Sequence, residues 1–216
     1  MRKNIIYSLL LVVAALFAGC ESRLDIEKHG NMGGQDDFYQ TDEQTEQAVA
    51  SMYSSLKGLY YNWFFTKNVL SDDVWCGGGQ RGDNTSLEQL NEYTYGTDNG
   101  MIQGVFSGLY GLIYQSNLVI EKVADDTPAK KRAIAEAKFF RAWANFELVT
   151  LWGTAPLVDH LLEPGEYRQG NSTPEALWAA VESDLNDAIS MNALPSKKNK
   201  DDQETGMRVT QEVAKA

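Results

Sequence analysis

Residues 72–84 hold the side chains best suited to grip a polar ligand. They run Asp72, Asp73, Val74, Trp75, Cys76, three glycines, Gln80, Arg81, Gly82, Asp83 and Asn84. A flat indole such as Trp75 packs against the C–H face of a sugar, while Asp73, Arg81 and Asn84 carry donors and acceptors for its hydroxyls. The same indole can also fold back onto neighbouring helices, and the sequence leaves both placements open. Gly77, Gly79 and Gly82 match G-x-G-x-x-G, but no apolar strand precedes them and Asp72 and Asp73 sit where a phosphate would approach. No Gly-Lys-Ser/Thr follows, so nucleotide binding is set aside.

The other reactive residues form no catalytic set. Glu136 and Glu147 lie eleven residues apart on one expected helix, a rise of roughly 16 Å. Paired glycosidase carboxylates sit within about 10 Å. His29 and His160 are the only histidines, too few for a histidine metal site or a Ser-His-Asp triad. Asp72, Asp73, Asp83, Asp98, Asp201 and Asp202 lack the spacing of a calcium loop. Arg141, mid-helix among aromatics, reads as a buried structural cation bonded to a neighbouring helix or loop carbonyl. The expectation is a protein that is not an enzyme, with no cofactor and no metal.

Cys20 carries a different chemistry. Arg2 and Lys3 precede a nearly unbroken apolar run over residues 5–17, and Ala18, Gly19 and Cys20 follow. This is the order of a secretory signal, and the run is shorter than the roughly 20 residues that span a bilayer. Phe17, Ala18, Gly19 and Cys20 resemble the bacterial lipobox, with Phe where Leu is usual. In that motif the Cys thiol is acylated and becomes the new N-terminus. Residues 1–19 are therefore expected to be a signal peptide and Cys20 the lipid attachment point, with several acyl chains giving firm anchorage. Cys76 would then have no disulfide partner, and burial as a small hydrophobe is its expected fate.

Charge narrows the partners. The chain has a formal net charge of −11, and loss of Arg2 and Lys3 with the leader would make it −13. Nucleic acid is excluded, because basic patches drive that affinity, and attraction to anionic lipid is equally poor.

The elements that must position these groups are helical. Residues 20–40 read as a lipidated tether and extended entry, and residues 41–216 as one helical domain. Thr41 with Gln44 forms a capping box for a first helix expected to end near residues 58–61. Residues 66–100 read as a long loop, of the kind that is usually functional or disordered. A second helix spans about 101–123, with Gly104, Gly108 and Gly111 on one side inviting close helix contact. Thr127 and Pro128 start a third, reaching Trp152 and stopped by Gly153. Its two apolar stripes, one through Phe140 and Leu148 and one through Phe139, Trp143 and Phe146, suggest a helix held between partners. Thr173 and Pro174 open a fourth, closed by residues 192–195. A polar loop over 196–206 leads to a fifth helix near residues 209–216, expected to leave its apolar face uncovered. No strand alternation of any length is present, so the fold class is all-α: antiparallel helix pairs with long decorating loops, incomplete at the C-terminus.

Several blocks, in order, carry a family resemblance. They are Leu24 to Glu27; Phe38 and Tyr39 with the helix through Ala48 and Tyr53; Leu109 and Tyr110 through Ile120; and Ala135 to Ala142 continuing to Leu151, Trp152, Gly153, Pro156, Leu157 and Val158. Leu185 to Ala188, Leu194, Pro195, and Arg208 to Ala216 complete the set. The chain resembles the N-terminal part of the SusD/RagB-type surface nutrient-binding lipoproteins of Bacteroidetes, whose members are more than twice this length. The resemblance implies a TPR-like fold, lipid anchorage on the outside of the outer membrane, and non-catalytic capture of an oligosaccharide ligand. It also implies partnership with a SusC-type TonB-dependent outer-membrane transporter. The competing expectation is a truncated helical scaffold on that membrane with no ligand of its own.

Overall fold

The computed structural model describes residues 38–71, 73–197 and 206–216. The expected signal peptide, Cys20, most of the tether, His29, Asp72, Asp201 and Asp202 lie outside the described residues. Among the described residues six α-helices follow one another: α1 Asp42–Val69, α2 Thr85–Asn91, α3 Gly100–Lys122, α4 Pro128–Trp152, α5 Pro174–Ser190 and α6 Gln211–Lys215. Ala155 and Ser172 meet in an isolated antiparallel bridge, and no strand occurs among the described residues. The fold is all-α, as the periodicity requires, and TPR-like. No described helix is long and apolar enough to cross a membrane.

Local chemistry starts the helices where expected. Thr41 Oγ1 accepts from Gln44 N at 3.2 Å while Gln44 Oε1 accepts from Thr41 N at 3.1 Å. Thr127, Thr173 and Thr210 cap α4, α5 and α6, with Pro in the first turn of α4 and α5. Each such cap is worth about 1 kcal/mol. Gly153, at φ +73°, ends α4 in a conformation that a side chain resists.

Two boundaries differ from the sequence expectation. Helix α1 does not stop near residues 58–61 but continues to Val69. Gly58 costs about 1 kcal/mol in a helix, and tertiary partners beyond it outweigh that. Trp63 packs on Trp143 with ring centroids 6.2 Å apart, and Lys67 Nζ lies 3.0 Å from Glu147 Oε2. Nor is 66–100 one loop, because it contains α2. Val69, Leu87, Leu90 and Met101 form a small apolar cluster there. That cluster anchors the end of α1, α2 and the start of α3.

The helices alternate in direction. Ser55 bonds Gln115, and the side chains of Leu59 and Asn62 crowd Gly108 and Gly104, so α1 and α3 are antiparallel. Asn117 meets Arg141 and Phe106 meets Trp152 across α3 and α4. Lys138 meets Asp187 and Phe146 meets Trp178 across α4 and α5. Helix α4 is thus central, packed against α1, α3 and α5. The close approach expected of the glycine stripe holds at Gly104 and Gly108 but not at Gly111, where an added Cβ would meet nothing. The main core gathers Met52, Leu109, Leu112, Ile113, Phe140, Leu148 and Leu177, each contributing roughly 1.5–3 kcal/mol on burial. The second stripe of α4 is less enclosed than expected: Phe139 and Trp143 are half-buried and Phe146 is exposed.

The C-terminal segment is also better seated than expected. Val209, Gln211 and Ala214 are buried, and only Met207 and Val213 leave large apolar side chains exposed. Arg208 reaches the fully buried Glu136 at 3.1 Å and Glu46 at 2.8 Å. Tyr53 Oη accepts from Val209 N at 2.7 Å. A carboxylate in the core needs such partners, and here they tie the chain end to α1 and α4.

Candidate functional site

The loop after α1 is fastened at both ends. Asn91 on α2 accepts from Cys76 N at 3.1 Å and donates to the Val74 carbonyl at 3.3 Å. Tyr93, at φ +55°, donates its hydroxyl to the Leu70 carbonyl at 2.8 Å. Inside the loop, Asp83 accepts from Gly79 N and, at 3.0 Å, from Gln80 N. Gly82, at φ +94°, donates to Glu88 at 2.7 Å. Arg81 and Glu92 form a two-point pair, Nη1 to Oε1 at 2.7 Å and Nη2 to Oε2 at 2.8 Å.

This bonding shapes a polar cleft of about 210 Å³ lined by Trp75, Cys76, Gly77, Gly78, Gln80, Arg81, Glu88, Asn91 and Glu92. Trp75 stands at its edge with 79% of its surface exposed. That resolves the placement the sequence left open: the indole faces outward and does not pack back on the helices. Ring and polar rim together suit a hydroxylated ligand with an apolar face.

The four candidate residues separate. Trp75 and Arg81 share the cleft. Asp73 is exposed and does not line it, its backbone N–H turned to Ser71 Oγ at 3.4 Å. Asn84 does not line it either; its side-chain oxygen caps α2 by accepting from Leu87 N at 3.2 Å. Gln80, Glu88, Asn91 and Glu92 line the cleft and were missed. Their signal was faint: Asn84 as a cap, with Leu87 and Leu90 one turn apart, marks a short helix inside an apparent loop. Cys76 is half-buried, not fully buried; partial burial, then Glu88, raises its thiol above the ordinary range, which favours the unreactive protonated form.

Several other polar groups are paired within the fold. Arg141 bonds Asp184 on α5, Asn117 on α3 and the Asp159 carbonyl, the helix and loop partners expected of it. Glu136 and Glu147 are each held by cations, Glu136 by Arg132 and Arg208, Glu147 by Lys67. Exposed His160 lies between Asp159, at 2.7 Å, and Glu166, at 3.3 Å. Among the described residues no three His, Cys, Asp or Glu side chains are grouped to hold a metal ion. A separate apolar notch of about 220 Å³ lies between α1 and α4, lined by Leu56, Leu59, Tyr60, Trp63 and Trp143.

Residues 28–216 match the family model SusD-like_3, described as starch-binding and associating with the outer membrane. A SusD-like protein of Bacteroides ovatus is 32% identical over 70% of this chain and 29% of its own length. One from Formosa agariphila is 25% identical over 88% of this chain and 40% of its own. Among solved structures, a laminarin-binding SusD-like protein aligns with TM-score 0.70 and 27% identity, covering 82% of this chain and 39% of that one. The surface glycan-binding protein A from Bacteroides uniformis aligns with TM-score 0.67 and 23% identity, over 81% and 40% of the two chains. The chain thus spans well under half the length of these relatives.

Proposed function

We propose, from the premise that this chain belongs to the SusD-like family of starch-binding proteins associated with the outer membrane, that it captures an oligosaccharide without cleaving it. The captured glycan passes to a SusC-type TonB-dependent transporter, and Cys20 holds the protein at the membrane through lipid. The observation that carries the binding site is Trp75, exposed at the rim of a polar cleft on a well-bonded loop. An aromatic ring presented beside polar groups has little to do in the isolated fold and matches the amphipathic face of a sugar ring. The laminarin-binding relative supports a glucan as ligand. Among the described residues the buried carboxylates Glu136, Glu147 and Asp184 are paired with cations, which supports a binding role.

Affinity electrophoresis through gels containing laminarin or starch tests this. The wild-type chain is expected to be retarded and Trp75→Ala to run free, with an unchanged melting temperature because the ring contributes little packing. Equal retardation of the variant would remove Trp75 from the site. Mass spectrometry of the mature N-terminus tests the anchor: an acylated Cys20 is expected, and an unmodified one refutes it.

A second reading, a helical scaffold without its own ligand, draws on one observation. Tyr60 lines the apolar notch on α1 and stacks on Phe64, and both are exposed, while the Trp63 indole nitrogen there is buried without a hydrogen-bond partner. Such a face suits protein contact. A scaffold would migrate unretarded in every glycan gel.

A further inference from the structure

The cleft is polar, but its guanidinium and three backbone N–H groups of the glycine-rich turn beside it are already taken by the chain's own carboxylates. Arg81, the cation lining it, is gripped at two points by Glu92. A glycine-rich turn normally offers successive backbone N–H groups that cradle an anion. Here Gly79 and Gln80 give theirs to Asp83, and Gly82 gives its own to Glu88. The charged residues lining the cleft are two carboxylates, Glu88 and Glu92, against the single guanidinium of Arg81. A ligand therefore meets an acceptor-rich, net negative rim, ready to receive hydroxyl hydrogens and poorly suited to another carboxylate.

We infer that this cleft selects neutral glycans over acidic ones, and that Glu92 sets the selection by masking Arg81. The inference rests on the reading of the cleft as the glycan site. A neutral hexose chain lays its C–H face on Trp75 and donates hydroxyls to the carboxylate and amide oxygens of the rim. A hexuronate chain brings like charge to within a few ångströms of Glu88 and Glu92, where screening by salt is incomplete. Without Glu92 the balance inverts: one negative charge is lost and the Arg81 fork, which matches a carboxylate geometrically, becomes available.

The test is calorimetric titration of the full chain with laminarihexaose and with an oligogalacturonide of equal length, at about 20 and about 200 mM salt. Wild type is expected to bind laminarihexaose with little salt dependence. It should bind the galacturonide at least about tenfold more weakly at low salt, the gap narrowing as salt rises. Glu92→Gln should strengthen galacturonide binding at least about tenfold at low salt, with the opposite salt dependence. Adding Arg81→Gln to Glu92→Gln should abolish that gain. If wild type binds both glycans equally through a Trp75-dependent site, or Glu92→Gln gains nothing for the acidic chain, the selection is overturned and the site reading stands. If neither glycan shows binding that Trp75→Ala removes, the site reading fails and the selection with it.

Discussion

Arg141 and Asp184 meet at two points in the interior, Nε to Oδ2 and Nη2 to Oδ1, both at 2.7 Å. The pair joins α4 to α5, and the same guanidinium bonds Asn117 of α3 at 2.8 Å and the Asp159 carbonyl at 2.6 Å. One cation thus ties three helices and the loop that follows α4. Asp184→Leu should cost about 3–5 kcal/mol, because it strands a buried charge. Replacing both, as Arg141→Met with Asp184→Leu, should cost much less than the two single losses combined. Urea unfolding of the four chains measures this, and simple additivity would contradict it.

Neighbouring glycines of α3 should respond with opposite sign. A Cβ at Gly108 would come within 2.7 Å of Leu59 Cδ1, whereas one at Gly111 would meet nothing within 4 Å. Leu59 is buried in the core, and its Cδ1 must shift from that packing to admit the added carbon. Gly108→Ala should therefore destabilise by about 1–3 kcal/mol, and Gly111→Ala should stabilise by up to about 1 kcal/mol through helix propensity. Thermal melts of the two variants decide it.

Tyr53 links the chain end to the core. Its hydroxyl accepts from Val209 N and donates to Glu136 Oε2 at 3.3 Å, and burial, then the Glu136 charge, raises its pKa so that it stays protonated. Tyr53→Phe keeps the ring against Phe140, at 4.8 Å between centroids, but leaves an amide and a carboxylate oxygen short of a partner. A loss of about 1–3 kcal/mol is expected. Amide exchange should accelerate most over residues 206–216, and uniform acceleration would count against this link.

His160 should make its loop pH-sensitive. The hydrogen bond to Asp159, then the one to Glu166, raises its pKa above the ordinary 6.5. A raised histidine lends its support fully below the unfolded value and loses it as pH climbs through the folded one. Asp159 and Glu166 are lowered, so their share is present above the ordinary carboxylate range and lost on acidification. Protection of residues 159–166 against amide exchange, corrected for intrinsic rate, should fall as pH climbs above the ordinary histidine value of 6.5 and through the raised one. His160→Gln should flatten that dependence.

Much of this protein is decided within four residues of chain. Thr41 with Gln44, Thr127 with Pro128, Thr173 with Pro174, and Gly153 each act on groups in the same turn, so helix starts and the end of α4 were legible from residue types. The apolar stripes were legible for the same reason, as was Arg141, whose charge among aromatics had to find a partner. Tertiary contact decided the rest. Helix α1 runs on past Gly58 because Trp143 and Glu147 of α4 receive its last turns. Arg208 finds Glu136 across 72 residues. The cleft beside Trp75 exists because α2 folds back to bring Asn91 to the loop backbone and Glu92 to Arg81. Pattern and capping are properties of one segment, but a pairing between distant side chains depends on which helix faces meet, and that is settled only when the whole core packs.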